Sequence, residues 1–219
     1  MSEARRVVTV DGPAGVGKTT LGRRLATALA LPLIDTGLFY RGLMVAAVRR
    51  GLAATDTGAL AELAATTRLE VNTSGDVQAD WAVRVDGVDA GSALRDPVHA
   101  ELLSTLSQIP AIRAALLEPQ RHAARDGGVA VGRDCGTAVF PDAPVKIYLV
   151  ASAEVRIERR GVQLETGEND AIHDVATRDR LDAPSMERAS DAHILDTAEL
   201  GIEETFAAAL RFCVAAEIH

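Results

Sequence analysis

Val7-Val8-Thr9-Val10-Asp11-Gly12-Pro13-Ala14-Gly15-Val16-Gly17-Lys18-Thr19 is the stretch whose reading decides the fold. Its first four residues are apolar or β-branched, the composition of a short buried strand. The turn that follows fits G-x-x-x-x-G-K-[ST] over residues 12–19, and beyond it Leu21, Leu25, Ala28 and Leu29 recur at helical spacing. Strand, glycine-rich loop and helix in that order make a phosphate cradle. The glycines let backbone N–H groups turn inward around phosphate oxygens, and the start of the helix adds a partial positive charge. In such a loop Lys18 bridges the β- and γ-phosphates of a nucleoside triphosphate and the Thr19 hydroxyl is a ligand for Mg²⁺, while Pro13, Ala14, Val16 and Thr20 complete the run around the phosphates.

The choice of lysine strengthens that reading. Of 23 basic residues only Lys18 and Lys146 are lysines, the rest being arginine. A compact ammonium and a planar guanidinium are not interchangeable inside a tight loop, whereas most surface sites accept either. Retention of lysine at position 18 therefore points to the loop's ligand rather than to a bare glycine turn.

Outward from the cradle, short apolar runs alternate with helical patterns. Leu33-Ile34 reads as a second strand, and Asp35-Thr36-Gly37 starts a helix through Tyr40, Leu43, Met44 and Ala47, with Thr36 placed to cap it. Residues 57–67 read as a helix. From Leu69 the period becomes two: Leu69, Val71 and Thr73, then Val77, Ala79, Trp81, Val83 and Val85, separated by turn residues 72–76 and followed by a second turn at Asp86-Gly87. Residues 69–90 are thus a small antiparallel insertion, in which Trp81 is a packing residue. Helical patterns occupy 97–125 with a break near Pro110. Val129-Ala130-Val131 and the run 146–150 read as buried strands, 161–170 as a polar loop, 192–195 as a last strand and 202–216 as a closing helix. The expected class is α/β, a parallel sheet covered on both faces.

Composition excludes other classes. The chain of 219 residues carries a net charge of −8, which disfavours nucleic acid or a membrane surface as a partner. No apolar run is long enough to span a bilayer and the N-terminus lacks a signal-peptide pattern, so a cytoplasmic monomer is expected. Cys135 and Cys213 lack metal-ligand spacing and read as buried thiols, and the five histidines are isolated.

Two further blocks carry a resemblance. Asp35-Thr36-Gly37-Leu38-Phe39-Tyr40-Arg41 resembles the D-[ST]-G-x-x-Y-R segment of bacterial cytidylate kinases. The run from Gly132-Arg133-Asp134-Cys135-Gly136-Thr137 to Lys146-Ile147-Tyr148-Leu149 is similar to that family's G-R-D-x-G-T-x-V-F-P-D-A-x-x-K-I-[FY]-L, and 104–113 to its S-x-x-x-x-x-P-x-[VI]-R. The resemblance covers most of the chain. It implies a P-loop kinase fold with a core at 1–60 and 111–219, a lid at about 156–182, and a monophosphate-binding insertion at 61–110. It implies ATP with Mg²⁺ as donor and CMP or dCMP as acceptor. By position, Arg41 and Arg133 hold the acceptor phosphate; Ser104, Arg113 and Asp134 read the cytosine edge; Thr36 and Tyr40 line the pocket; Arg178 and Asp182 hold the ribose. Lys18, Arg133, Arg156 and Arg160 neutralise the transferring group, the last two also meeting ATP, with Arg159 beside them.

The chain departs from that pattern at Val131, where the family carries an acid. It is also shorter after Asp182, where the family's nucleotide arginine is either absent or supplied by Arg188. These departures keep a modified cytidine monophosphate, or another small acceptor on the same fold, as an alternative. A nucleotide-binding module without catalysis is the reading from outside the enzymes.

Overall fold

A computed structural model of the chain describes residues 6–73, 82–164, 168–183 and 186–218. It divides into two compact units, residues 1–33 with 126–219, and residues 34–125. The second contains all of 61–110, the segment expected to bind the acceptor.

In the first unit, β1 (Val7–Asp11) is buried throughout and is the middle strand of a parallel sheet. β6 (Gly128–Val131) flanks it on one side and β7 (Val145–Val150) on the other, with Val10 opposite Val131 and Ile147. β8 (His193–Asp196) pairs with β7, and β2 (Leu33–Asp35), where the two units divide, completes the order β2-β6-β1-β7-β8. Strand order therefore reverses at β1. The carboxyl end of such a strand is where open α/β sheets bind ligands, and the glycine loop leaves from there into α1 (Lys18–Ala28).

The helical period of α1 places Leu21 and Leu25 on the sheet, and α8 (Ile202–Ala215) contributes Ala208, Ala209 and Cys213 to the same core. Val131 belongs to this core as well: its side chain fills the space that a Cβ on Gly22 of α1 would need.

α6 (Ala153–Leu164) and α7 (Glu168–Asp182) pack against each other. The polar loop expected over 161–170 is therefore corrected: helix runs through 161–164 and resumes at 168, leaving 165–167 outside the described residues. A lone glycine such as Gly161 weakens a helix by only about 1 kcal/mol relative to alanine, which tertiary packing readily exceeds.

The second unit stacks α2 (Gly37–Arg49), α3 (Thr57–Thr66), α4 (Ala100–Gln108) and α5 (Pro110–Ala123) around Leu43, Leu60, Leu106, Ile112 and Leu116, all fully buried. Pro110 opens α5 because its missing N–H is one the first turn cannot use, which places the expected break one residue after α4 ends. β3 (Leu69–Val71), β4 (Val83–Val85) and β5 (Val88–Asp89) form the small antiparallel sheet, with Leu69 opposite Val85 and Val85 opposite Val88. Asp86 and Gly87 have φ of 51° and 79°, the pair of positive angles that a two-residue hairpin turn requires. The expected strand residues 77–81, Trp81 among them, lie outside the described residues. α2 packs on this sheet at Gly42, where a Cβ would lie 2.9 Å from Val83 Cγ1.

Candidate active site

The phosphate loop is shaped by its glycines and held by long-range partners. Gly12 has φ 143°, and a side chain there would strike the carbonyl of Leu149 on β7, so strand and loop can approach only without a Cβ. Gly17, at φ 96°, precedes α1, whose first turn contains no acidic residue of its own. Lys18 Nζ donates to the Pro13 carbonyl at 2.6 Å, which folds the ammonium back across the loop. Thr19 is half-buried in the first turn, and Thr20 is exposed.

Asp11, directly before the loop, is a residue the motif reading passed over. Its carboxylate accepts from the amides of Cys135 at 2.8 Å and Gly136 at 2.7 Å. Burial pushes its pKa up, the two amides pull it down, and Asp134 nearby raises it a little further. The Arg133 guanidinium donates to the Gly12 carbonyl at 3.3 Å. The structure thus brings the G-R-D block onto the start of the phosphate loop, with residues 135–139 wound into a wide helical turn behind it. Tyr148 stands alongside. Its pKa is raised first by burial and then by Asp11, while Arg188 and Arg133 oppose the shift, so Arg188 shares this charged neighbourhood.

Arg156 is almost fully buried at 7% exposure, an extreme degree for a guanidinium. Both of its terminal nitrogens pair with Asp179 of α7 at 2.7 Å, and Nη1 also donates to the Ala14 carbonyl at 3.3 Å. Arg160 follows one turn along α6 and is half-buried; Arg159 instead holds Thr197. Lys146, the other lysine, is buried against Asp191 and the Pro141 carbonyl. Arg178 and Asp182 lie in α7, and their side chains fall outside the described residues.

In the second unit Arg41 of α2 donates to the Leu94 carbonyl at 2.6 Å. Arg113 of α5 donates to the Ser107 carbonyl at 3.1 Å, and Ser104 Oγ of α4 accepts from Gln108 at 3.1 Å, both at the α4–α5 corner. Thr36 occupies the position before α2 without a side-chain cap. The expected Thr36 cap is corrected: the side chain at the start of α2 is that of Asp35, whose Oδ1 accepts from Gly37 N at 3.0 Å in a turn of the kind that Asp favours two residues on. Buried Gln120 reaches the Thr36 carbonyl, and Tyr40 is half-buried one turn into α2.

The described residues contain no cluster of His, Cys, Asp or Glu fit to hold a metal by themselves. Thr19, half-buried in the first turn of α1, has a hydroxyl of the kind that Mg²⁺ would take beside a nucleotide's phosphates, for magnesium keeps few protein ligands in such sites. Both oxygens of Asp11 are engaged by amides.

The family model described as cytidylate kinase matches residues 8–214. The chain belongs to that family. Curated relatives named cytidylate kinase span its length. That of Bordetella bronchiseptica is 41% identical over 220 residues, covering 95% of each chain. Those of Rhodococcus jostii and Pelotomaculum thermopropionicum are 39% and 37% identical, covering 93% and 90% of this chain and 93% and 91% of theirs. Among solved structures, an uncharacterized protein of Eubacterium ventriosum superposes with a TM-score of 0.54 over 96% of this chain and 99% of its own, at 12% identity. TT1252 of Thermus thermophilus gives 0.50 over 98% of each chain at 18% identity, and at these identities the likeness is one of fold alone. For a cytidylate kinase family member, the phosphate loop and the G-R-D block are the two segments that the structure joins through Asp11.

Proposed function

We propose that this chain transfers the γ-phosphoryl group of ATP to CMP or dCMP, giving ADP and CDP or dCDP. The reading is carried by family membership along nearly the whole chain together with an intact phosphate loop. An oxygen of the acceptor phosphate forms the new bond to the γ-phosphorus as the bond to the β,γ-bridging oxygen breaks, and the electron pair leaves with ADP. The acceptor oxygen is already ionised, so no general base is needed, and catalysis reduces to alignment and charge neutralisation.

In this reading the loop amides and Lys18 hold the donor phosphates. Thr19 would hold Mg²⁺, which neutralises charge on the β- and γ-oxygens when bound. Arg133 and Arg41 take the acceptor phosphate, with guanidinium geometry suited to two parallel bonds. Asp134, Ser104 and Arg113 read the base, Thr36 and Tyr40 line its pocket, and Arg178 and Asp182 hold the sugar. Arg160 is assigned to the ATP side directly, and Arg156, one turn earlier on α6, through the Ala14 carbonyl of the loop that it holds.

A panel of CMP, dCMP, UMP, AMP and a 5-substituted CMP, assayed for ADP release, tests the acceptor. CMP and dCMP should lead by kcat/KM. Removing one preorganised donor by Lys18→Ala should cut kcat about 10²–10³-fold. Turnover led by another acceptor would replace the reading, and turnover unaffected by Lys18→Ala would remove it.

A further inference from the structure

For the phosphate loop to aim its N–H groups inward, its carbonyls must point outward, and buried carbonyls need donors. In this chain the loop's carbonyls have those donors. The Gly12 carbonyl accepts from Arg133, that of Pro13 from Lys18, that of Ala14 from Arg156, and that of Gly17 from Leu21 N within α1. The Val16 carbonyl accepts from Thr197 Oγ1 at 3.2 Å.

Two of these donors are themselves fixed from behind. Asp179 holds Arg156 through both carboxylate oxygens. Arg159 donates to Thr197 Oγ1 at 2.9 Å and to the Thr197 carbonyl at 2.6 Å, so the hydroxyl's lone pair is occupied and its proton is turned to Val16 and to Val150 at 3.3 Å. Packing tightens the same contact: a Cβ on Gly15 would stand 3.3 Å from the Cβ and the carbonyl of Arg156.

We propose that Asp179 and Thr197 are positioning residues, forming with Arg156 and Arg159 a brace that grips the outer carbonyls of Ala14 and Val16 and sets the loop in its phosphate-binding shape before the donor arrives. Neither Asp179 nor Thr197 touches the inner, ligand-facing amides. Their effect passes through the backbone, because an amide whose carbonyl partner is fixed does not reorganise when the phosphates bind. The brace rests on the reading of residues 12–19 as the donor-phosphate site, and it does not depend on which acceptor is used.

The test uses Asp179→Asn and Thr197→Val in the full chain, both near-isosteric. Binding of inorganic tripolyphosphate, and separately of CMP alone, is measured by calorimetry. Loss of one charged or buried hydrogen bond predicts that the tripolyphosphate Kd rises roughly tenfold in each variant, with CMP binding unchanged. Tripolyphosphate held as tightly as by the wild type would overturn the brace. So would an equal loss of CMP affinity, which marks a general loosening. A wild-type chain that binds tripolyphosphate but leaves CMP unphosphorylated would overturn the proposed acceptor, and the same two affinities would still decide the brace.

Discussion

In the first unit Asp11, Lys146 and Arg156 are held by partners 124, 45 and 23 residues away along the chain. At the α4–α5 corner of the second, Arg113 reaches Ser107, six residues back, and Ser104 takes Gln108, four residues on. The bonds also differ in kind: two of the first set join opposite charges and one buries a carboxylate on two amides, whereas Arg41 and Arg113 donate to backbone carbonyls. Long-range charged contacts exist only once the sheet has assembled, so the donor side is bound up with stability. The corner between α4 and α5 is local and comes with the helices, so its side chains can serve recognition at little cost to the fold.

The largest expected effect breaks the donor side at its most buried point. Asp11→Ala leaves the amides of Cys135 and Gly136 without their acceptor, and each unsatisfied buried donor costs about 1–3 kcal/mol. Unfolding in urea should show a loss of several kcal/mol, a large part of the roughly 5–15 kcal/mol a domain has. Asp11→Asn retains one carbonyl oxygen and should lose less. If Asp11→Ala unfolds like the wild type, water has replaced the carboxylate and the contrast between the units fails.

The second effect sharpens the contrast from the other side. Arg113→Ala removes one charged donor from the candidate base-reading corner, which is worth about ten- to hundredfold in KM for CMP. Stability and ADP affinity should scarcely move, because the lost bond is to a half-buried carbonyl in the same corner. Steady-state kinetics over both substrates, with thermal melting, reads the split. A parallel loss of ADP affinity would show that this corner is not confined to the acceptor.

The same difference in range explains what was legible in the sequence. The phosphate loop, the Asp86-Gly87 turn and the break at Pro110 are contiguous strings whose local chemistry dictates their shape, and all three are found where the residues place them. Asp11, Asp179, Asp191 and Thr197 were not legible as site residues. Their roles depend on pairing across the sheet and between α6 and α7, which no local pattern encodes. A signal existed in one case, for Asp11 is an ionisable residue at the end of a strand otherwise made of valine and threonine. The loop expected at 161–170 failed for the converse reason: Gly161 alone does not end a helix that packs against α7. Val131 shows the limit of motif reading at a single position. The acid of the family pattern is replaced by a side chain that packs with Gly22 in the core, a fact visible only once α1 lies on the sheet.

The smallest effect separates two carboxylates of the first unit by pH. The Lys146 ammonium holds the Asp191 carboxyl below its usual range, so its contribution is present above the unfolded-state pKa, near pH ~4, and is lost as pH falls through the lower, folded value. Asp11 has the opposite sign. Burial raises its folded pKa, so stability rises as pH falls through the window between its unfolded and folded values, where the native state takes up the proton. The two windows meet near pH ~4, so wild-type stability should rise as pH falls toward that value through Asp11 and fall below it through Asp191. Urea unfolding from pH 6 to pH 3 of wild type, Asp191→Asn and Asp11→Asn separates them. Asp191→Asn should be less stable than wild type above pH ~4, with the gap closing below it. Because the Asp191 side chain is 63% exposed, that gap should stay under about 1 kcal/mol. Asp11→Asn should lose the rise above pH ~4 and keep the fall below it, and a curve parallel to wild type would mean that Asp11 does not take up a proton as the pH falls.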